Sequence, residues 1–264
     1  MNLTPQPFDF NGLPVTWYKT GTGKPLLILH GWGASSRVMA PLAEQLKNIR
    51  TCMMIDFPGF GMSPEPPRAW AIDDYTDMVE TFIKQNCPDD IDLLVHSFGN
   101  RVALKLLNRD SVKNQIGKVL VTGGAGMKPR RSLKFYFKKY LAKTLKAPFL
   151  ILPGSLKEKG LNTLRNTSLW KSLGSSDYKQ LSGVMRETFV KSVSEHQDHT
   201  LGSITHDILL LWGRNDESTP VYQAERLEKG LKNSALVVIE DAAHYPFLDK
   251  PKQFAAIAKA FLEG

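Results

Sequence analysis

Cysteine is nearly absent: Cys52 and Cys87 are the only two in 264 residues, too few for a disulfide framework. Both stand in apolar or helical-looking stretches, which suits reduced, buried thiols in a reducing compartment. Nowhere does an apolar run approach the roughly 20 residues of a membrane span. The opening MNLTPQPFDFNGLPVTWYK lacks the basic and apolar regions of a signal peptide, so the chain reads as cytoplasmic. Repeats and low-complexity tracts are missing too. Acidic residues are absent from Ser111 through Lys157, a stretch with eleven Lys and Arg. The whole chain carries a net charge of +8, so its basicity belongs to that one segment.

What is present is an alternation. Short buried-looking runs, PLLILH (25–30), TCMMID (51–56), IDLLV (91–95) and KVLVT (118–122), are separated by loops and helical patterns at 35–47, 72–86 and after Ser97. The alternation stops over 127–200, which reads as mostly helical. It resumes with ILLLWG (208–213), a helix at 221–230, SALVVIE (234–240) and a helix at 250–263. That order predicts an α/β fold, a mostly parallel twisted sheet flanked by helices. The expected domains are a core formed by 1–126 and 201–264, with a helical cap inserted at 127–200.

Four loops lie at the carboxyl ends of predicted strands, where open α/β sheets bind ligands. The first holds Ser97 in LVHSFGN, at a strand-to-helix junction that would lift its Oγ above the sheet. Its glycine pattern is half complete, with Val95 in the first position and Gly99 in the second. The second, HGWG (30–33), could supply the Trp32 N–H, which with the Phe98 N–H would make a two-donor oxyanion hole. Each such donor is worth roughly 2.7–4 kcal/mol of barrier. The third, WGRNDESTP, offers Asp216, with Glu217 as a competitor better suited to capping the next helix. The fourth, DAAHYPFLDKP, offers His244.

These loops resemble those of the α/β-hydrolase superfamily, in particular its capped carboxylesterase-like members. DFPGFGMS (56–63) is similar to that family's D-x-P-G-x-G-x-S loop, and DAAHYPFLDKP to its histidine loop, with Ala243 where glycine is usual. The resemblance implies the chain order nucleophile, acid, base, hence Ser97, Asp216 and His244 as a triad. It also implies a cofactor-free serine esterase acting on small to medium acyl esters. A carbon–carbon bond hydrolase or a lipid esterase would share the triad, and a non-catalytic binding protein on the same fold is the reading from another class.

Other features point elsewhere. VTGGAGMKP (121–129) lacks the last glycine and the following acid of a dinucleotide fingerprint. HQDHT (196–200) matches no metal-ligand spacing and reads as a linker, so no metal is expected. His30 is expected to pack beneath the oxyanion loop, and His96 to point away from Ser97. RRSLKFYFKKYLAKTLKAPFLIL (130–152) interleaves Phe135, Tyr136, Phe137 and Tyr140 with lysines. It reads as an amphipathic cap helix lining a pocket, and its composition also suits contact with an anionic membrane surface. No nucleic-acid motif accompanies the charge.

Overall fold

A computed structural model describes residues 3–87, 90–130, 133–167, 181 and 183–264, the side chains of 133–135, 138, 139 and 165 excepted. Eight strands form one sheet in the order β1-β2-β4-β3-β5-β6-β7-β8. They are β1 Gln6–Phe10, β2 Leu13–Thr20, β3 Pro25–Leu29, β4 Thr51–Ile55, β5 Ile91–His96, β6 Ile116–Thr122, β7 Ile208–Gly213 and β8 Ser234–Ile239. From β4 to β8 every neighbouring pair is parallel, while β1 and β2 pair antiparallel with each other, and β2 antiparallel with β4.

Sequence analysis places no strand before residue 25; the structure adds the hairpin β1–β2. Its turn is Asn11-Gly12, both at positive φ (53° and 82°), the Asn-Gly signal of a tight hairpin. Phe8, Val15 and Trp17 alternate inward from it and are buried.

The helices are α1 Ser36–Leu46, α2 Ile72–Asn86, α3 Phe98–Leu106, α4 Leu133–Leu150, α5 Gly154–Asn166, α6 Gly183–Ser194, α7 Val221–Gly230, α8 Pro246–Asp249 and α9 Pro251–Glu263. Strand alternation divides the core into two layers. Leu27, Leu29, Leu93 and Val95 face α2, α3 and α7, whereas Leu26, Ile28 and Leu94 face α1 and α9. With both faces covered, the central strands are largely apolar; the buried exceptions in β5 are Asp92, which pairs with Lys24 and Arg50, and His96 at its carboxyl end.

The chain divides into two compact units, Met1–Lys128 with Glu187–Gly264, and Pro129–Arg186. The insertion is therefore shorter than the expected 127–200, because residues 187–200 pack with the sheet unit. Thr188 Oγ1 accepts from the Trp70 N–H at 3.1 Å, Lys191 Nζ donates to the Ala69 carbonyl at 2.7 Å, and Gln197 Nε2 donates to the Arg101 carbonyl at 2.7 Å. These ties are polar side chains seeking backbone partners, a signal that helical periodicity does not carry. In the second unit α4 and α5 form a helical hairpin. Phe135, Lys134, Lys138 and Lys139 of the basic aromatic segment have side chains outside the described residues.

Candidate active site

Ser97 joins β5 to α3 with φ 50° and ψ −108°, a combination sterically costly for an L-residue, of order 1–3 kcal/mol. Surrounding bonds hold it there. The Ser97 N–H donates to the Thr122 carbonyl at 3.1 Å, and the Ala125 and Asn100 N–H groups donate to the Ser97 carbonyl at 2.9 and 3.1 Å. Gly99 permits the sharp turn, since a Cβ there would fall 2.5 Å from the Leu29 carbonyl oxygen. Val95, the departure from the usual glycine, is fully buried and stays in register with Leu29 and Val121. The turn thus forms with valine in place. Asn100 takes a role that sequence analysis did not assign: its Nδ2 donates to the Ala125 carbonyl at 2.8 Å, tying α3 to the loop after β6.

Asp216 follows β7 and is buried, whereas Glu217 is exposed. His244 Nδ1 lies 2.8 Å from Asp216 Oδ2. The carboxylate also accepts from the Ser218 and Thr219 N–H groups at 2.9 and 2.8 Å and from the Thr219 hydroxyl at 2.9 Å. Burial acts to raise the Asp216 pKa, but His244 and these donors outweigh it and hold the carboxyl below its ordinary value. With Nδ1 committed to the acid, Nε2 is the nitrogen of His244 left for proton transfer. The loop carrying His244 is fixed by the Asn215 N–H donating to the Ala242 carbonyl at 2.8 Å and the Ala243 N–H donating to Asp249 Oδ2 at 2.7 Å. Alanine at 243 is compatible with both bonds.

Two further residues shape this pair. Thr219 is positioned by Trp212, whose Nε1–H donates to its carbonyl at 2.7 Å. Gly123, at φ 55°, leaves room for the ring: a Cβ there would stand 3.0 Å from His244 Nδ1. Neither was singled out from sequence, although the GGAG run after β6 marked a loop where side chains were being avoided.

His30 is fully buried and its tautomer is fixed. The Phe57 N–H donates to Nε2 at 3.0 Å, so Nδ1 bears the hydrogen and donates to the Gly31 carbonyl at 2.7 Å. Desolvation lowers the His30 pKa to about 4, keeping the ring neutral. Because the peptide is trans, holding the Gly31 carbonyl toward His30 turns the Trp32 N–H to the opposite side. Gly31 also abuts the nucleophile turn, where a Cβ would fall 3.1 Å from Ser97 Cβ and 2.7 Å from His96 Nδ1. The Trp32 indole is held by Phe60, Phe98 and Phe189, with ring centroids 4.9, 5.4 and 5.2 Å away.

Between Ser97 and His244 no direct hydrogen bond forms among the described residues. The two meet through His96, whose ring centroid is 4.7 Å from that of His244 and whose Nε2–H donates to the His244 carbonyl at 3.0 Å. Catalytic hydrogen bonds commonly tighten only with substrate bound. Burial pushes His96 down to about 3, so it is a neutral spacer and no rival base.

The alpha/beta hydrolase fold family matches residues 24–251. The chain is 24% identical to a pimeloyl-acyl-carrier-protein methyl ester esterase of Aliivibrio fischeri, over 94% of this chain and 97% of that one. Among solved structures it is similar to a bacterial membrane phospholipase A (TM-score 0.77, 21% identity, 99% of this chain and 86% of that one). It is also similar to an esterase from Exiguobacterium antarcticum (TM-score 0.72, 22% identity, 96% and 97%). Since the family match spans most of the chain, the protein belongs to the alpha/beta hydrolase fold family.

Proposed function

We propose that this chain is a cofactor-free serine carboxylesterase with Ser97 as nucleophile, His244 as general base and acid, and Asp216 as its orienting carboxylate. The reading rests chiefly on one observation, the 2.8 Å pairing of His244 Nδ1 with a buried carboxylate beside a serine held in a strained turn. Ser97 Oγ attacks the ester carbonyl while its proton passes to His244 Nε2. The Trp32 and Phe98 N–H groups hold the oxyanion of the tetrahedral intermediate. On collapse, the proton moves from His244 to the departing alcohol, leaving an acyl-serine. Water then gives a proton to His244 as its oxygen attacks the acyl carbon; when this second tetrahedral intermediate collapses, the bond to Ser97 Oγ breaks, His244 returns the proton to Oγ, and the acid leaves.

A small to medium acyl ester is the substrate class, and the name of the Aliivibrio fischeri relative supports a finer version, the methyl ester of a dicarboxylic acyl chain on a carrier protein. For the basic aromatic segment, contact with an anionic surface is the partner reading. The test of the esterase is labelling by a fluorophosphonate probe together with hydrolysis of p-nitrophenyl esters of graded chain length. The expected result is labelling and turnover, with Ser97→Ala abolishing the label and lowering kcat by roughly 10⁶-fold. Folded protein that neither labels nor turns over would leave a binding protein on a hydrolase fold.

A further inference from the structure

Helix α4 and the turn after it present a bare apolar stripe. Phe137, Tyr140 and Ile151 are 68%, 61% and 85% exposed. The exposed Thr144 and Pro148 continue the same line at helical spacing. The other side of the helix packs on α5: Gly160 makes room for the Phe149 ring, since a Cβ there would fall 2.3 Å from it. Leu150, Leu152 and Leu156 are also exposed and gather at the tip of the hairpin. Contiguous large apolar side chains are seldom left in water without a partner to cover them.

The neighbouring charge says which partner. Lys143 and Lys159 are exposed beside the stripe and tip, and residues 133–166 hold eight Lys and Arg against a single acid, the exposed Glu158 between Lys157 and Lys159. A tip of exposed aliphatic side chains needs a surface that can yield around it, and its basic rim needs that surface to be negative. The boundary between headgroups and acyl chains of an anionic bilayer offers both, with lysine stems lying along the apolar layer and their ammonium groups at the phosphates. Among the described residues no helix is long and apolar enough to cross a membrane, so the contact is superficial. We propose that the α4–α5 hairpin tip docks on an anionic lipid surface, with Leu150, Ile151 and Leu152 entering the headgroup layer and Lys143 and Lys159 meeting the phosphates.

The test is co-sedimentation of the full chain with vesicles of phosphatidylcholine and phosphatidylglycerol in equal parts, beside pure phosphatidylcholine. Binding is expected on the mixed vesicles at about 0.05 M salt and should fall steeply by about 0.5 M. The combined Leu150→Ser, Ile151→Ser and Leu152→Ser variant should bind at least about 10-fold more weakly, as should Lys143→Glu with Lys159→Glu. All five side chains are exposed, so both variants should keep the wild-type rate on soluble p-nitrophenyl butyrate. The proposal is overturned if mixed vesicles are ignored at low salt, if neutral vesicles bind equally, or if the serine variant binds undiminished. It is equally overturned if an acidic acyl-carrier protein binds through these residues while vesicles do not. An inactive wild type that still sediments with anionic vesicles would strike the esterase reading and support this one.

Discussion

Ser97, Gly123 and Asp216 show how little freedom the site allows. Backbone bonds to the end of β6, the loop after it and the first turn of α3 hold Ser97 in its strained turn, and His244 fills the space that Gly123 leaves empty. Gly123→Ala would place a methyl group 3.0 Å from His244 Nδ1 on a backbone at φ 55°. The ring must shift, and kcat on p-nitrophenyl butyrate should fall about 10- to 100-fold with KM little changed. Asp216→Asn keeps the shape but reverses the donor and acceptor pattern at Oδ2, favouring the wrong tautomer of His244. Steady-state assays should show kcat down by roughly 10⁴-fold, with near-wild-type thermal stability as the control for folding.

At the scale of elements, α6 is the joint to examine, because the two units divide within it. Its second half belongs to the sheet unit through Thr188, whose fully buried hydroxyl accepts from the Trp70 N–H. Thr188→Val is nearly isosteric but leaves that N–H unpaired, at a cost of about 1–3 kcal/mol read by urea denaturation. Phe189, the next residue, touches the Trp32 ring, so Thr188→Val should also disturb the oxyanion donor at Trp32 and lower kcat on p-nitrophenyl butyrate more than it changes KM. Helical periodicity and charge located the insertion. Its end point was hidden because the residues that return the chain to the sheet are polar ones bonded to distant carbonyls.

The whole molecule should weaken in acid in two overlapping stages. His30 and His96 are buried neutral, their pKa values lowered by desolvation to about 4 and about 3 from an ordinary 6.5. Above 6.5 both rings are neutral folded or unfolded, and nothing is lost. Below it the unfolded chain takes up protons that the native state refuses, so stability declines as pH falls from 6.5 toward 3. Glu80 acts lower: desolvation opposes its ionisation, but bonds from Lys84, Ser111 and Arg109 bring its pKa to about 2 from 4.5. Its contribution is full above 4.5 and lost on the way down to 2. Melting temperature measured against pH should therefore fall from near pH 6.5, and His96→Gln should flatten the upper part of that limb. A flat melting temperature between pH 6.5 and 4 would contradict the burial of neutral rings.

Sequence alone determined the alternation of strand and helix, the loops at the strand ends, and the order of Ser97, Asp216 and His244. Those features are local: hydrophobic periodicity, turn residues and motif spacing are written along the chain and need no distant partner to be read. The first hairpin was not read from the sequence, although the Asn11-Gly12 turn between alternating apolar residues carries its signal. Only the tertiary structure decided that Asp216 rather than Glu217 faces the imidazole, and that Gly123 and Thr219 shape its seat. It also decided that His30 sets the Gly31–Trp32 peptide and that His96 spaces the two loops. Each depends on atoms brought within a few ångströms from separate strands, and a one-dimensional pattern does not encode the direction in which a side chain meets a neighbour a hundred residues away.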